Sequence, residues 1–274
     1  MSQTTYIDAA QDLVEAERTA AEAKRGGMES FVERVADLPA ESSPAGGPGV
    51  AGAGGLAQRT EASGVGGCDP IRTAFAETVH PHAVAGGDSV VGADPEARGA
   101  ESEPLTAAIR REFTEEIAVA LAPASSVPFS PGLKRGVLTE ARRRERELDV
   151  LCRALDRESE SLRAAADTVA SVSSWIAAAD ETPLSELGFD ALRRRHEALA
   201  AHRDRCDGAA ADRQSALGST TAVGADAGLR HRDLVGSVYE GLSVDHPVLA
   251  TLVRLDDACQ ECQRAVRAHL IRRA

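Results

Sequence analysis

Lysine, aromatic side chains and long apolar runs are all scarce in this chain. Aromatics make up 3% of its 274 residues, with a single tryptophan. That excludes a core of large rings. Ala, Val and Leu carry the apolar content, and Ala-rich helices can approach closely at no side-chain entropy cost. Lys24 and Lys134 are the only lysines, and the remaining Lys/Arg cations are all arginine. No stretch approaches the ~18 apolar residues of a membrane span. The most apolar window, Ala164 to Ala179, is interrupted by Asp167 and by serine and threonine. Asp8, Asp12, Glu15 and Glu17 break up the N-terminal region, so no secretory signal and a cytoplasmic location are expected. The five cysteines are an odd number and fit reduced thiols better than a disulfide framework.

The formal net charge is −12 and the pI about 5.1. An acidic balance argues against nucleic acid as the main partner, because phosphate binding needs surplus cation. Acidity combined with near-absent lysine points to adaptation to high salt. At about 1 M salt the Debye length is about 3 Å, so surface ion pairs lose most of their value. Apolar seams would then carry the stability.

Those seams are present. Leu148, Leu155, Leu162, Val169 and Ile176 recur every seventh residue, with Leu151, Glu158, Ala165 and Val172 at the companion positions. This heptad pattern, free of proline, predicts a long helix lying against another helix. Pro131 marks its start and Ala179 its end, a span of roughly 70 Å at 1.5 Å per residue. A turn at Asp180-Glu181 leads to a second helix predicted from Pro183 to Leu217. Its stripe is Phe189, Leu192, His196, Leu199, Arg203, Cys206, Ala210, Arg213 and Leu217. A short connection makes neighbouring helices antiparallel. Folding at that turn sets Leu199 near Ala165, Cys206 near Glu158, and Glu158 within reach of Arg203.

Elsewhere the N-terminal helix should run from Thr5 to Leu38, weakened at Glu17 and Lys24 and kinked or frayed at Gly26-Gly27. Residues 40–67 are mostly Gly, Ala, Pro and Ser and read as a linker. Proline marks further helix starts at Pro70, Pro104 and Pro247. The segment Pro104 to Leu121 reads as one helix through Ile109, Phe113 and Ile117. A small-residue loop from Gly218 to Gly228 precedes a short helix with Leu234, Val235, Val238 and Tyr239. The last helix carries Val248, Leu252, Leu255, Cys259, Cys262, Val266 and Leu270. The expected architecture is all-α: a long antiparallel coiled-coil hairpin (131–217) with the N-terminal helix (1–39) and the C-terminal helix (247–273) packed along it. The domain scheme is 1–39, a linker at 40–68, and a helical domain at 69–274.

Chemical motifs are few. Cys259-x-x-Cys262 has the spacing of a zinc half-site, but no second such pair exists to complete a tetrahedron. His202 and Cys206, one helical turn apart, are the remaining weak candidates. Three of these four lie on apolar stripes, and cysteine packs as a small hydrophobe. No metal or cofactor is therefore expected. His80-Pro81-His82 reads as a helix terminator. Gly52, Gly54 and Ala57 match a dinucleotide fingerprint formally but lack the strand and helix that it needs. Gly87-Asp88-Ser89 lacks the strand of a hydrolase nucleophile turn. The arginines 142–144 and 146 are interleaved with Glu140, Glu145 and Glu147, and neither they nor Arg193-Arg194-Arg195 have an aromatic platform for bases.

The segment Ile71 to Val79 with Pro81-His82, the run Tyr239-Glu240-Gly241-Leu242 leading into His246-Pro247-Val248-Leu249, and the arginine-rich terminal helix resemble an uncharacterised helical family of halophilic archaea, a domain of unknown function. That resemblance implies a helical build and a saline habitat, and supplies no catalytic residue. The functional expectation is a non-enzymatic scaffold or interaction protein working through helix contacts, with itself or a protein partner and not with a membrane. The alternatives are a metal- or ligand-responsive regulator using the Cys206, Cys259 and Cys262 region, and an accessory factor to nucleic-acid machinery.

Overall fold

A computed structural model describes residues 6–41, 67–83, 104–222 and 228–273. Most of the linker expected at 40–68, the Gly52–Gly54–Ala57 match and the Gly87-Asp88-Ser89 turn lie outside them. The fold is all-α, and among the described residues one small antiparallel strand pair is the exception. Its helices are α1 (Tyr6–Asp37), α2 (Asp69–Thr78), α3 (His80–Ala83), α4 (Leu105–Glu112), α5 (Glu115–Ala120), α6 (Pro131–Asp180), α7 (Phe189–Leu217), α8 (His231–Val238) and α9 (Pro247–Ile271). Strands β1 (Thr220–Ala222) and β2 (Gly228–Arg230) pair with Thr221 opposite Leu229. The chain divides into two compact units, and the division falls within α1 after Thr19 and within α6 after Asp149. Both α1 and α6 therefore contribute residues to both units.

In the unit containing residues 20–41, 67–83 and 104–149, the scarce phenylalanines are concentrated in one place. Phe31, Phe75 and Phe113 form a triangle with ring centroids 5.6 to 5.7 Å apart, the Phe31–Phe75 pair being edge-to-face. Such pairs add about 0.5–1.5 kcal/mol beyond their buried area. Ile71, Ile109, Leu121, Val137 and Leu148 complete this core. The helix expected from Pro104 to Leu121 is broken: Phe113 is extended (φ −124°, ψ 168°) and α5 starts afresh after Thr114. The break delivers the Phe113 ring to the triangle, and Glu115 and Glu116 then stand in the first turn of α5, where the helix dipole favours them.

Gly26-Gly27 does not interrupt α1. A Cβ on Gly27 would stand 2.3 Å from the Thr78 carbonyl oxygen, whereas one on Gly26 would meet nothing within 4 Å. The first glycine is thus incidental, and the second lets α2 approach the α1 backbone. At the far end of α1, Lys134 donates from Nζ to the carbonyls of Ala36 (2.6 Å) and Leu38 (2.7 Å). Its charge satisfies helix-terminal acceptors that the chain leaves open there.

The other unit holds residues 6–19, 150–222 and 228–273. Val172 of α6, Leu192, Leu199 and Cys206 of α7, and Leu255, Cys259 and Val266 of α9 share one core. Buried positions on α7 recur every seventh residue as Leu192, Leu199, Cys206 and Arg213. Contacts between α6 and α7 pair Glu158 with Arg213, Ser171 with Arg205, and Trp175 with His202. One series rises as the other falls, so the two helices are antiparallel. The same holds for α7 and α9, through Arg203 with Asp256 and His196 with Gln263.

The hairpin turn is longer than expected. Pro183 does not open a helix; residues 181–188 form the connection, and α7 begins at Phe189 after Gly188. That displaces the register by at least a heptad. Glu158 therefore does not face Arg203 or Cys206. The region expected as a loop after Gly218 carries β1 and β2, closed by a hydrogen bond from the His231 amide to the Ser219 carbonyl (3.0 Å).

Candidate functional site

Glu158 sits at a companion position of the α6 seam and is fully buried. An isolated carboxylate there would carry a desolvation cost of several kcal/mol. Four hydrogen bonds answer it. Arg213 of α7 grips both oxygens, Nη1 to Oε2 at 2.7 Å and Nη2 to Oε1 at 2.8 Å. His231, the first residue of α8, donates from Nε2 to Oε2 at 2.6 Å, and the Tyr239 hydroxyl donates to Oε1. Arg213 Nη1 also reaches the Ser161 hydroxyl at 3.0 Å. Burial alone would push the Glu158 carboxyl upward and is the largest single influence. The bonds from His231, Arg213 and Tyr239 with the guanidinium charge together outweigh it and hold the carboxyl at about 2. Burial and the neighbouring carboxylate drive the Tyr239 hydroxyl the other way, well above the ordinary tyrosine value. One carboxylate thus ties together α6, α7 and the segment that begins α8 and follows it.

The other unit has a counterpart. Glu112, at the end of α4, is fully buried between cations. Lys24 Nζ lies 2.5 Å from Oε1 and Arg144 Nε 2.8 Å from Oε2. Here too burial opposes ionisation, and the Lys24 and Arg144 interactions prevail, lowering the carboxyl below its usual value. Lys24, the weak point of the expected N-terminal stripe, is where that stripe carries charge into the interior. Arg144 is held in addition by Glu147 (3.0 Å), and Arg143 by Glu140 (2.9 Å) and Glu147 (2.7 Å). Arg143 and Arg144 of the arginine cluster are therefore engaged by carboxylates.

The candidate metal set is not assembled. Among the described residues no group of three or more His, Cys, Asp or Glu side chains could hold a metal. Cys206 and Cys259 are buried in the α6–α7–α9 core, and Cys262 is half-buried beside it. Burial pushes all three thiols up, Cys259 to about 11 with help from the neighbouring Cys206 and Asp256. A thiol so raised stays protonated at neutral pH and is a poor nucleophile or ligand. His202 lies against the Trp175 ring, centroids 4.7 Å apart. Cys68 is buried as well, its thiol directed at the Val127 carbonyl (3.5 Å).

Of the other seam residues, Leu148, Leu155, Leu162, Val172, Leu192, Leu199 and Leu217 are buried, while Leu151, Val169 and Ile176 are half-buried. Arg203 makes a two-pronged pair with Asp256 of α9, at 2.8 and 3.2 Å. Phe189, expected on the seam, is 47% exposed. It stands at the start of α7, beside the long turn. Sequence reasoning missed His231 and Lys24 as partners. Their signal was present only as anomalies: a histidine opening a helix, and a lysine on an apolar stripe.

Close to that turn the surface opens into a cleft of ≈150 Å³, walled by Trp175 and Ile176 of α6, Leu184 of the turn, Leu199 of α7 and Val266 of α9, with Arg195 among its lining. The Arg195 guanidinium donates to the Thr182 carbonyl at 3.2 Å, which braces the turn. Such a volume takes up a benzene-sized group.

Fold and sites together define an all-α protein in which, among the described residues, the buried carboxylates Glu158 and Glu112 are paired with cations and the cleft is mostly apolar. The family follows directly: over residues 5–263 the chain matches the model of the domain of unknown function DUF7260, and it belongs to that family. No curated protein and no solved structure matches it.

Proposed function

We propose that this chain is a non-enzymatic scaffold or interaction protein of the cytoplasm that works through helix contacts of coiled-coil type. One observation carries the reading. The chemically capable groups in the interior, Glu158 with Arg213, His231 and Tyr239, and Glu112 with Lys24 and Arg144, are directed at one another. The apolar cleft, Phe189 and Ile271 meanwhile face solvent in the unit that holds α7 and α9. Fully paired buried charges specify a fold, and exposed apolar surface marks contact. The −12 net charge and the two lysines further support a high-salt habitat and count against nucleic acid as the partner.

The test is the native mass of the protein, tagged at its own locus and extracted in molar salt from the cells that make it. A stoichiometric assembly heavier than one 28.6 kDa chain is expected. A lone chain in that extract would overturn the reading.

A further inference from the structure

Phenylalanine is used sparingly here, and Phe31, Phe75, Phe113 and Phe129 are all buried. Phe189 is the fifth and last, and it is exposed on the first residue of α7. With Ile271 and Val253 it is one of the few large apolar side chains that the described residues of this unit expose, and it is a patch of such residues, not one alone, that marks a contact. The cleft described above lies on the same end of its unit: Arg195 and Leu199, two of its lining residues, follow Phe189 on α7, and Leu184 precedes it in the turn. Ile271, 72% exposed at the end of α9, belongs to this end too, because the adjoining Arg273 donates to the Ser185 carbonyl of the turn.

We infer that this end is a self-association surface, in which Phe189 of one copy enters the Trp175–Leu199–Val266 cleft of a second copy and the exchange is reciprocal. This deepens the interaction reading above and rests on it. Two properties select a second copy as the occupant. A ring and a cleft that admits a benzene-sized group sit on one surface, so a single two-fold axis satisfies both at once, as closed dimers require. The charges are also balanced at this end. The chain as a whole carries −12, which repels a second copy. At this end, however, Asp180, Glu186 and Asp190 stand among Arg193, Arg194 and Arg273, and residues 180–197 with the end of α9 hold acids and bases in nearly equal number. A second copy meeting this balanced surface adds no net repulsion there, unlike contact through the acidic remainder of the chain. An exclusively acidic or basic partner would meet as much repulsion as attraction.

The experiment is light scattering on the purified full chain across a concentration series in molar salt. The wild type should approach twice 28.6 kDa as concentration rises. Phe189→Ser removes the ring, and Ala265→Phe places a ring on an exposed position in the cleft wall and fills it. Each should weaken the dimer by at least about tenfold, as loss of a central aromatic anchor does, with circular dichroism unchanged. Mixed together, the two variants should regain part of the mass, because one supplies an open cleft and the other a free ring. A wild-type chain that stays monomeric throughout, a dimer indifferent to both substitutions, or a mixture no heavier than its components would each overturn the proposal. None of these touches the native-extract test, in which a complex with another protein could still be found.

Discussion

Removing the Glu158 carboxylate should cost more stability than removing the whole ion pair. Glu158→Gln leaves the Arg213 guanidinium buried without a counter-charge and gives His231 and Tyr239 an amide oxygen in place of a carboxylate. Breaking one side of a buried pair costs about 3–5 kcal/mol. The acid linkage gives a similar magnitude independently. A carboxyl held at about 2 in the fold, against an ordinary 4.5, contributes about 3 kcal/mol. The sign follows from the depression: the contribution is present above pH 4.5 and is lost as pH falls through the folded value of about 2. Glu158→Leu alone should destabilise for the same reason, although an apolar residue continues the seam. The double variant Glu158→Leu with Arg213→Met should be more stable than Glu158→Leu alone, because no charge is left buried unpaired, while His231 and Tyr239 lose their acceptor in both variants. Trp175, the only tryptophan, lies in the same unit, so its fluorescence during urea unfolding reports on that unit directly. A Glu158→Gln change below 1 kcal/mol, or a double variant less stable than Glu158→Leu, would refute the account.

The glycines of α1 give a paired test in which Gly27→Ala should destabilise by about 2 kcal/mol or more through overpacking on the Thr78 carbonyl, while Gly26→Ala should stabilise by about 0.5–1 kcal/mol through helix propensity. Both are read as shifts of the thermal midpoint. Glu112→Gln should lower amide protection in α4 and in α1 after Thr19 by about 2–4 kcal/mol, measured by hydrogen exchange because tryptophan is absent from that unit. The raised Tyr239 hydroxyl predicts stability that is full below pH 10 and declines above it, and Tyr239→Phe should flatten that alkaline limb of a pH titration. A thiol reagent at pH 7 should leave Cys206 and Cys259 of the folded protein unmodified and label them only after unfolding, as peptide mapping would show.

The regular parts of the architecture were legible because their signal is local. The α6 seam repeats every seven residues, and proline marks the starts of α2, α6 and α9 where the structure places them. The break at Phe113 was not legible. The i+4 spacing of Ile109, Phe113 and Ile117 reads as one helix, and only the presence of Phe31 and Phe75 makes an extended Phe113 profitable. The strand pair after Gly218 escaped notice for a related reason: each strand has three residues, too few to show alternation. Gly27 looked like a helix weakness because its value lies in what packs on it, a carbonyl more than fifty residues distant.

The seam anomalies were visible, but their pairing was not. Glu158 stood out among aliphatic residues, and Arg203 and Arg213 stood out on the facing stripe. Each arginine could form an ion pair with Glu158 in a register of its own, because both lie on the same stripe of three- and four-residue steps. The turn length decides between them. Starting α7 at Phe189 instead of Pro183 carries Arg213 to the carboxylate and leaves Arg203 facing outward, where Asp256 of α9 receives it. The alternative register would save a few turn residues. It would also separate Glu158 from the His231 and Tyr239 donors of the α8 region and remove Arg203 from Asp256. Several charge-assisted bonds at about 1.5–3 kcal/mol each outweigh the ordering of a slightly longer loop, whose closure costs about 0.6 kcal/mol per doubling of length. The register of the hairpin, and with it the length of the turn, is therefore set by contacts from the α8 region and α9, which is why the two stripes read alone could not determine it.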